Sequence, residues 1–150
     1  MPTVRIATKD DAQQILEIAR EWMPFNKEAE EQREKSLITV LGKPNGHLIF
    51  VAEEGKEIIG WFDVKNCDDW FMLRKSVHIE HINVAKKHRG RGVGSKICQA
   101  IFNYFRDKEG EMYLIFFYSE SGWTRFFVKN GFVITGEKFY ETRIVKRERR

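Results

Sequence analysis

The 150-residue chain contains two cysteines, three prolines and no apolar run near the roughly 18 residues that a membrane-spanning helix requires. Its longest clear apolar stretch is Tyr113 to Tyr118. Two cysteines, Cys67 and Cys98, do not make a disulfide framework. Cys98 falls inside a helical pattern, where a small buried apolar role is expected. The opening Met1-Pro2-Thr3-Val4 lacks the basic-then-apolar signature of an export signal. These absences point to a reduced, cytoplasmic protein with no membrane partner. There is no repeat, low-complexity segment or linker, so a single domain over residues 1–150 is expected. A chain of this length buries roughly 68–70% of its unfolded surface, enough for its own core.

Charge of one sign is also scarce: 26 basic against 22 acidic residues leave a formal charge of +4. That mild excess suits an anionic small molecule and does not itself argue for nucleic acid. The densest basic cluster, Lys146-Arg147-Glu148-Arg149-Arg150, reads as a solvated end. A nucleic-acid or acidic-protein contact there is the alternative.

What the chain does have is glycine in one place. Gly90, Gly92 and Gly94 stand between the strand-like run Val77 to Val84 and a helical pattern that continues to about Lys108. Glycines let a backbone approach a ligand closely, and the free amides of such a turn and of the following helix form an anion trap. Arg89, Arg91 and Lys96 add positive charge. Two phosphate motifs are excluded by spacing: the dinucleotide fingerprint needs G-x-G-x-x-G, and the Walker loop needs G-x-x-x-x-G-K-[ST]. The physical reading is a pyrophosphate cradle.

Along the chain, Val4 to Ala7 reads as a strand, and Thr8 with Asp11 as a capping signal before a helix that Pro24 ends. Asn26 caps a second helix, about Lys27 to Leu41. His47 to Glu53 and Glu57 to Lys65 form a hairpin around Gly55, and Asn66 to Ser76 is a loop. His78 to Val84 is the fourth strand and Glu111 to Tyr118 the fifth. A helix from about Ser121 stops at Asn130-Gly131, and Phe132 to Thr135 and Phe139 to Val145 are the last strands. Strand alternation puts His78, Glu80, Ile82 and Val84 on one face, and Ile79, His81 and Asn83 on the other. The fold class is α/β (α+β), a mixed sheet of about seven strands covered by four helices.

Arg89-x-x-Gly92-x-Gly94 resembles the (Arg/Gln)-x-x-Gly-x-(Gly/Ala) signature of the GNAT superfamily, the acetyl-CoA-dependent N-acetyltransferases. The element order is similar to that family's, and Asn130-Gly131-Phe132 resembles its end-of-helix Gly-Phe pair, so the likeness runs over nearly the whole chain. It implies a GNAT-like acyl-CoA N-acyltransferase fold and transfer of acetyl from acetyl-CoA to a primary amine. Arg89, Gly90, Arg91, Gly92, Val93 and Gly94, with Ser95 and Lys96, would hold the pyrophosphate. Ile82, Asn83 and Val84 would pair with the pantetheine, the Ile82 amide serving the oxyanion. A preorganised donor of that kind is worth on the order of 10²–10³ in rate. No metal is implied. A homodimer is suggested by analogy.

The resemblance places basic groups at His78 and Glu80. One of them would take the proton of the incoming ammonium, and an imidazole titrates near the working pH. Where the family often carries a tyrosine that protonates the leaving thiolate, this chain has Phe127, which would touch the cofactor but has no proton to give. Tyr118, Ser119 or Tyr140 could substitute. Asp68, Asp69 and Trp70 could seat a cationic amine or be ordinary loop residues, and a polyamine, an aminoglycoside or a protein N-terminus all remain open. A non-catalytic acyl-CoA binder, favoured by Phe127, is the rival reading.

Overall fold

The computed structural model describes residues 1–43, 46–68, 70–71, 75–106, 113–118, 123–136 and 139–144. The first strand, β1 (Thr3–Ile6), leads through a 3₁₀ turn (Lys9–Asp11) into α1 (Ala12–Trp22). Asp11 organises this entry. Its carboxylate accepts the Thr8 backbone N–H at 2.8 Å and both terminal nitrogens of Arg5, at 2.7 and 2.8 Å. After Pro24, the Asn26 side chain accepts the Ala29 N–H at 2.8 Å and so caps α2 (Lys27–Gly42). Three antiparallel strands follow: β2 (His47–Glu54), β3 (Glu57–Asn66) and β4 (Lys75–Val84).

A second 3₁₀ turn (Lys86–His88) and the glycine loop open α3 (Val93–Arg106). Then come β5 (Tyr113–Tyr118), α4 (Thr124–Lys129), β6 (Val133–Gly136) and β7 (Phe139–Ile144). Gly131, at φ +89°, closes α4: its N–H and that of Phe132 reach back to Val128 and Phe127 carbonyls. The expected mixed sheet is present, seven strands in the order β1-β2-β3-β4-β5-β7-β6, with β4–β5 the parallel pair. Four α-helices cover it.

Each face of the sheet carries its own core. On one, α3 lays Ile97, Cys98 and Ile101 against Phe50, Phe62 and Ile79, and α4 adds Phe127. On the other, Ile15 and Ile18 of α1 meet Ile49, Val51 and Trp61. Strand β4 starts at Lys75, three residues before the sequence suggests, because Lys75 to Ile79 pair with β5 from Tyr113 to Phe117. Among the described residues β5, which ends at Tyr118, offers β4 no partner beyond Ile79, although β4 runs on to Val84. The two strands therefore part halfway along, which opens the sheet at Glu80.

Strict alternation along β4 is overturned. The β3–β4 register slips between Asp63 and Val64: Asp63 opposes His81, Val64 opposes Ile79, and Glu80 has no partner of its own. This bulge turns consecutive residues to the same side. Ile82 and Val84 pack into the α3-side core with Phe62. His78, Glu80 and His81 gather with Asp63 on the other side. The expectation that His78, Glu80, Ile82 and Val84 share a face is thus corrected.

Candidate active site

Two clefts flank the parted end of β4. The first, about 470 Å³, lies between that strand end, the glycine loop and α4. Gly90 and Gly92 hold φ of +73° and +81°, which only glycine adopts without strain, and a Cβ built on either meets nothing within 4 Å. The space above both is open. Gly94 differs: a Cβ there would stand 3.1 Å from a ring carbon of Phe126, so close packing against α4 requires it to be small. Arg89 secures the loop through its Nε, which donates to the Val84 carbonyl at 2.9 Å. Asn130 of the α4 end donates to Ser95 Oγ at 3.1 Å and ties the first turn of α3 to that helix.

Ile82, Asn83 and Val84 line this cleft, as do Arg89, Gly90, Gly92, Val93, Gly94 and Ser95. The side chains of three residues expected there are engaged otherwise. Lys96 turns its ammonium to the Pro2 carbonyl at 3.4 Å, Arg91 engages the His88 ring at 2.9 Å, and Phe127 is wholly buried, stacked on Phe117 at 4.4 Å. Phe126 and Trp123 line the cleft in its place, with His88 and Lys129. The expectation for Phe127 rests on its spacing to Gly131 in the family pattern, and in this chain that spacing falls on the buried face of α4.

On the opposite face the bulge assembles a polar cluster. His47 Nε2 lies 3.2 Å from Glu80 Oε2 and 3.5 Å from Asp63 Oδ1. His81 Nδ1 lies 3.2 Å from Asp63 Oδ2, and His78 Nδ1 lies 4.0 Å from Glu80 Oε1. His78 stacks flat on Phe116, with centroids 4.7 Å apart, and its Nε2 is buried without a hydrogen-bond partner among the described residues. Burial holds the His78 imidazole below its usual pKa, outweighing the pull of Glu80. The Asp63 hydrogen bond holds His81 above its usual value. Atoms of His47, Asp63 and Glu80 lie within 4.8 Å of one another, close enough to share a cation.

Three members of this cluster, His47, Asp63 and His81, line the second cleft, about 500 Å³, between the sheet and the two N-terminal helices; Glu80 and His78 lie behind that lining. Ile49 and Trp61 of the sheet line it as well. Leu16, Ala19 and Met23 of α1 and Leu37 and Val40 of α2 form its walls. Trp22 and Asn83 line both clefts, so the two share a wall where β4 parts from β5. His47 and Asp63 were not singled out from sequence. The signal was present: Asp63 is a lone carboxylate within the apolar run Trp61-Phe62-Asp63-Val64.

Asp68 and Trp70 do not join this site. Asp68 is engaged locally, accepting from Lys75 Nζ at 3.1 Å and the Ser76 N–H at 3.3 Å, and Trp70 stands 84% exposed against Phe71. Asp69, Ser119 and the basic tail lie outside the described residues, as do the side chains of Tyr118 and Tyr140. The backbone of Tyr140 faces Phe117 across β5–β7. Both cysteines are free, Cys98 wholly buried with its thiol pushed up to about 12 by desolvation. Among the described residues no helix is long and apolar enough to cross a membrane.

A sheet parted at its central parallel pair, with a glycine loop feeding a helix beside the gap, is the architecture of one acyltransferase class. The model of that class, the acetyltransferase (GNAT) family, matches residues 12–132, and the chain belongs to this family. Mouse (Mus musculus) N-acetyltransferase 8 is 25% identical over 108 residues, 71% of this chain and 46% of that protein. The chain thus spans about half the length of that relative. Glucosamine-6-phosphate N-acetyltransferase from Arabidopsis thaliana superposes with a TM-score of 0.75 at 17% identity, over 92% of this chain and 95% of that one. The PaiA N-acetyltransferase of Thermoplasma acidophilum, solved in complex with coenzyme A, gives 0.69 at 14% identity over 99% of each chain. At these identities the two structures establish the fold.

Proposed function

We propose that the protein moves the acetyl group of acetyl-CoA to a primary amine, directly, within a ternary complex. The observation that carries this reading is the meeting of two clefts at Trp22 and Asn83, one walled by the glycine loop and the other lined by the Asp63 carboxylate and the His47 and His81 imidazoles. The loop amides and the N-terminus of α3 suit the pyrophosphate of CoA. The thioester then lies along the unpaired half of β4, and the ammonium enters over the cluster.

The amine must lose a proton before it has a lone pair to attack with. Glu80 takes that proton, with His47 hydrogen-bonded to its Oε2 and His78 beside its Oε1. Nitrogen bonds to the carbonyl carbon, the negative charge gathering on oxygen is met by a β4 backbone amide, and collapse breaks the C–S bond. The thiolate leaves with a proton from the nitrogen or from solvent, since Phe127 offers none. Direct transfer is supported by the cysteines: burial raises the pKa of both thiols, and a protonated thiol is a poor acyl acceptor.

Release of the CoA thiol from acetyl-CoA, measured with and without amines, tests the proposal. Amine-stimulated release supports it. An acetyl-CoA-induced rise in melting temperature without release under any amine would favour the acyl-CoA binder.

A further inference from the structure

The cleft between the helices and the sheet is chemically uneven, and its unevenness selects among amines. One part of it is acidic: the Asp63 carboxylate lines it beside His47 and His81, and Glu80 stands behind the lining, 3.2 Å from His47. Its walls are apolar, built by Leu16, Ala19 and Met23 on one helix and Leu37 and Val40 on the other. Arg33 lines the cleft with its guanidinium over the Phe25 ring, 3.4 Å from the centroid.

We infer that the acceptor is a monoamine carrying an aromatic or branched apolar body, its ammonium at Asp63 and its body between α1 and α2. This rests on the transfer reading above and names the substrate class of that same site. Three observations carry it. The cleft lining carries one carboxylate, Asp63, which matches one ammonium. Walls without polar side chains over most of their length cannot repay the desolvation of a second amine or a set of hydroxyls. Arg33, in the same lining, opposes a second ammonium with like charge. Trp22 and Met23, 64% and 43% exposed at the end of α1, are large apolar groups left uncovered at the mouth, where an apolar body would bury them.

The test compares kcat/KM for 2-phenylethylamine, ethylamine, spermidine and kanamycin, at fixed saturating acetyl-CoA. The expected order puts 2-phenylethylamine above ethylamine by about ten- to a hundredfold, the worth of burying one aromatic body, and above spermidine and kanamycin by at least tenfold. Two surface variants extend it. Met23→Lys should lower kcat/KM for 2-phenylethylamine about tenfold while the acetyl-CoA-induced rise in melting temperature is retained. Arg33→Glu should raise kcat/KM for spermidine severalfold. Preference for spermidine or kanamycin would overturn the acceptor class and leave the transfer reading standing. Turnover with none of the four, despite acetyl-CoA binding, would overturn both.

Discussion

His47 and Glu80, on strands that β3 separates, bring Nε2 and Oε2 within 3.2 Å of each other. That contact exists only because a bulge in β4 turns Glu80 toward β2 and away from the α3-side core. Glu80→Gln should lower kcat by about 10²- to 10³-fold, within the range for removing a positioned base. His47→Ala, which removes the partner of the same oxygen, should give a smaller loss, about tenfold. The KM for acetyl-CoA should stay within about twofold in both variants, since neither residue lines the loop cleft. Steady-state kinetics in both substrates checks this, and a loss confined to acetyl-CoA KM would remove Glu80 from the chemistry.

His78 and His81 lie three residues apart and shift in opposite directions from the usual 6.5. His78 is held neutral by burial, so below pH 6.5 the unfolded chain takes a proton that the folded chain resists. Stability is lost there as pH falls. His81 is held protonated by Asp63, so its contribution is complete below 6.5 and is lost as pH rises through its raised value. The two together predict a maximum in melting temperature near pH 6.5. Relative to wild type, His78→Ala should flatten the acidic slope and His81→Ala the alkaline one. Thermal melts from pH 5 to 8 read both, and the His81 effect is the smaller because half its side chain faces solvent.

Gly92 and Gly94 carry different burdens although the motif treats them alike. Gly92 has open space at its Cβ but a φ of +81°, whereas Gly94 is crowded by Phe126. Gly92→Glu should therefore abolish the melting-temperature gain from acetyl-CoA while costing about 1–2 kcal/mol of stability for the left-handed backbone. Gly94→Ala should cost about 1–3 kcal/mol through overpacking. Calorimetric titration and urea unfolding separate the two effects. Unchanged acetyl-CoA affinity in Gly92→Glu would sink the cradle.

Local chemistry made much of this legible in the chain itself. The glycine loop, the Asn26 cap, the Gly55 hairpin and the Asn130-Gly131 helix end are each written in a few consecutive residues. What stayed hidden depends on partners. A bulge needs the register of two strands, so alternation alone put Glu80 on the wrong face. His47 and Asp63 become a site only when β2, β3 and β4 lie side by side. Phe126 and Phe127 are adjacent in one short helix, and only its docking against α3 decides which is buried.

The Arg5–Asp11 pair should be the acid-sensitive element of the fold. Asp11 is 5% exposed, accepts both terminal guanidinium nitrogens of Arg5, and also accepts the Thr8 amide that starts the helical entry. The Arg5 bonds pull its carboxyl below the usual value of 3.8. Its stabilisation is therefore present above pH 3.8 and lost as pH falls through the lowered value. Asp11→Asn keeps the shape but removes the charge, and should cost about 2 kcal/mol at pH 7, the scale of hydrogen bonds to a charged group. Urea unfolding should show that gap closing as pH drops below 3.8, because the wild-type carboxyl then becomes neutral too. Since α1 carries Trp22 and Met23 to the mouth of the acceptor cleft, the variant also asks whether that wall survives a weaker anchor. At 20 °C the helix should stay docked through Ile15 and Ile18, leaving amine KM within about twofold of wild type. A rise in amine KM with acetyl-CoA KM unchanged would mean that the Arg5–Asp11 knot sets the position of the wall as well as its stability.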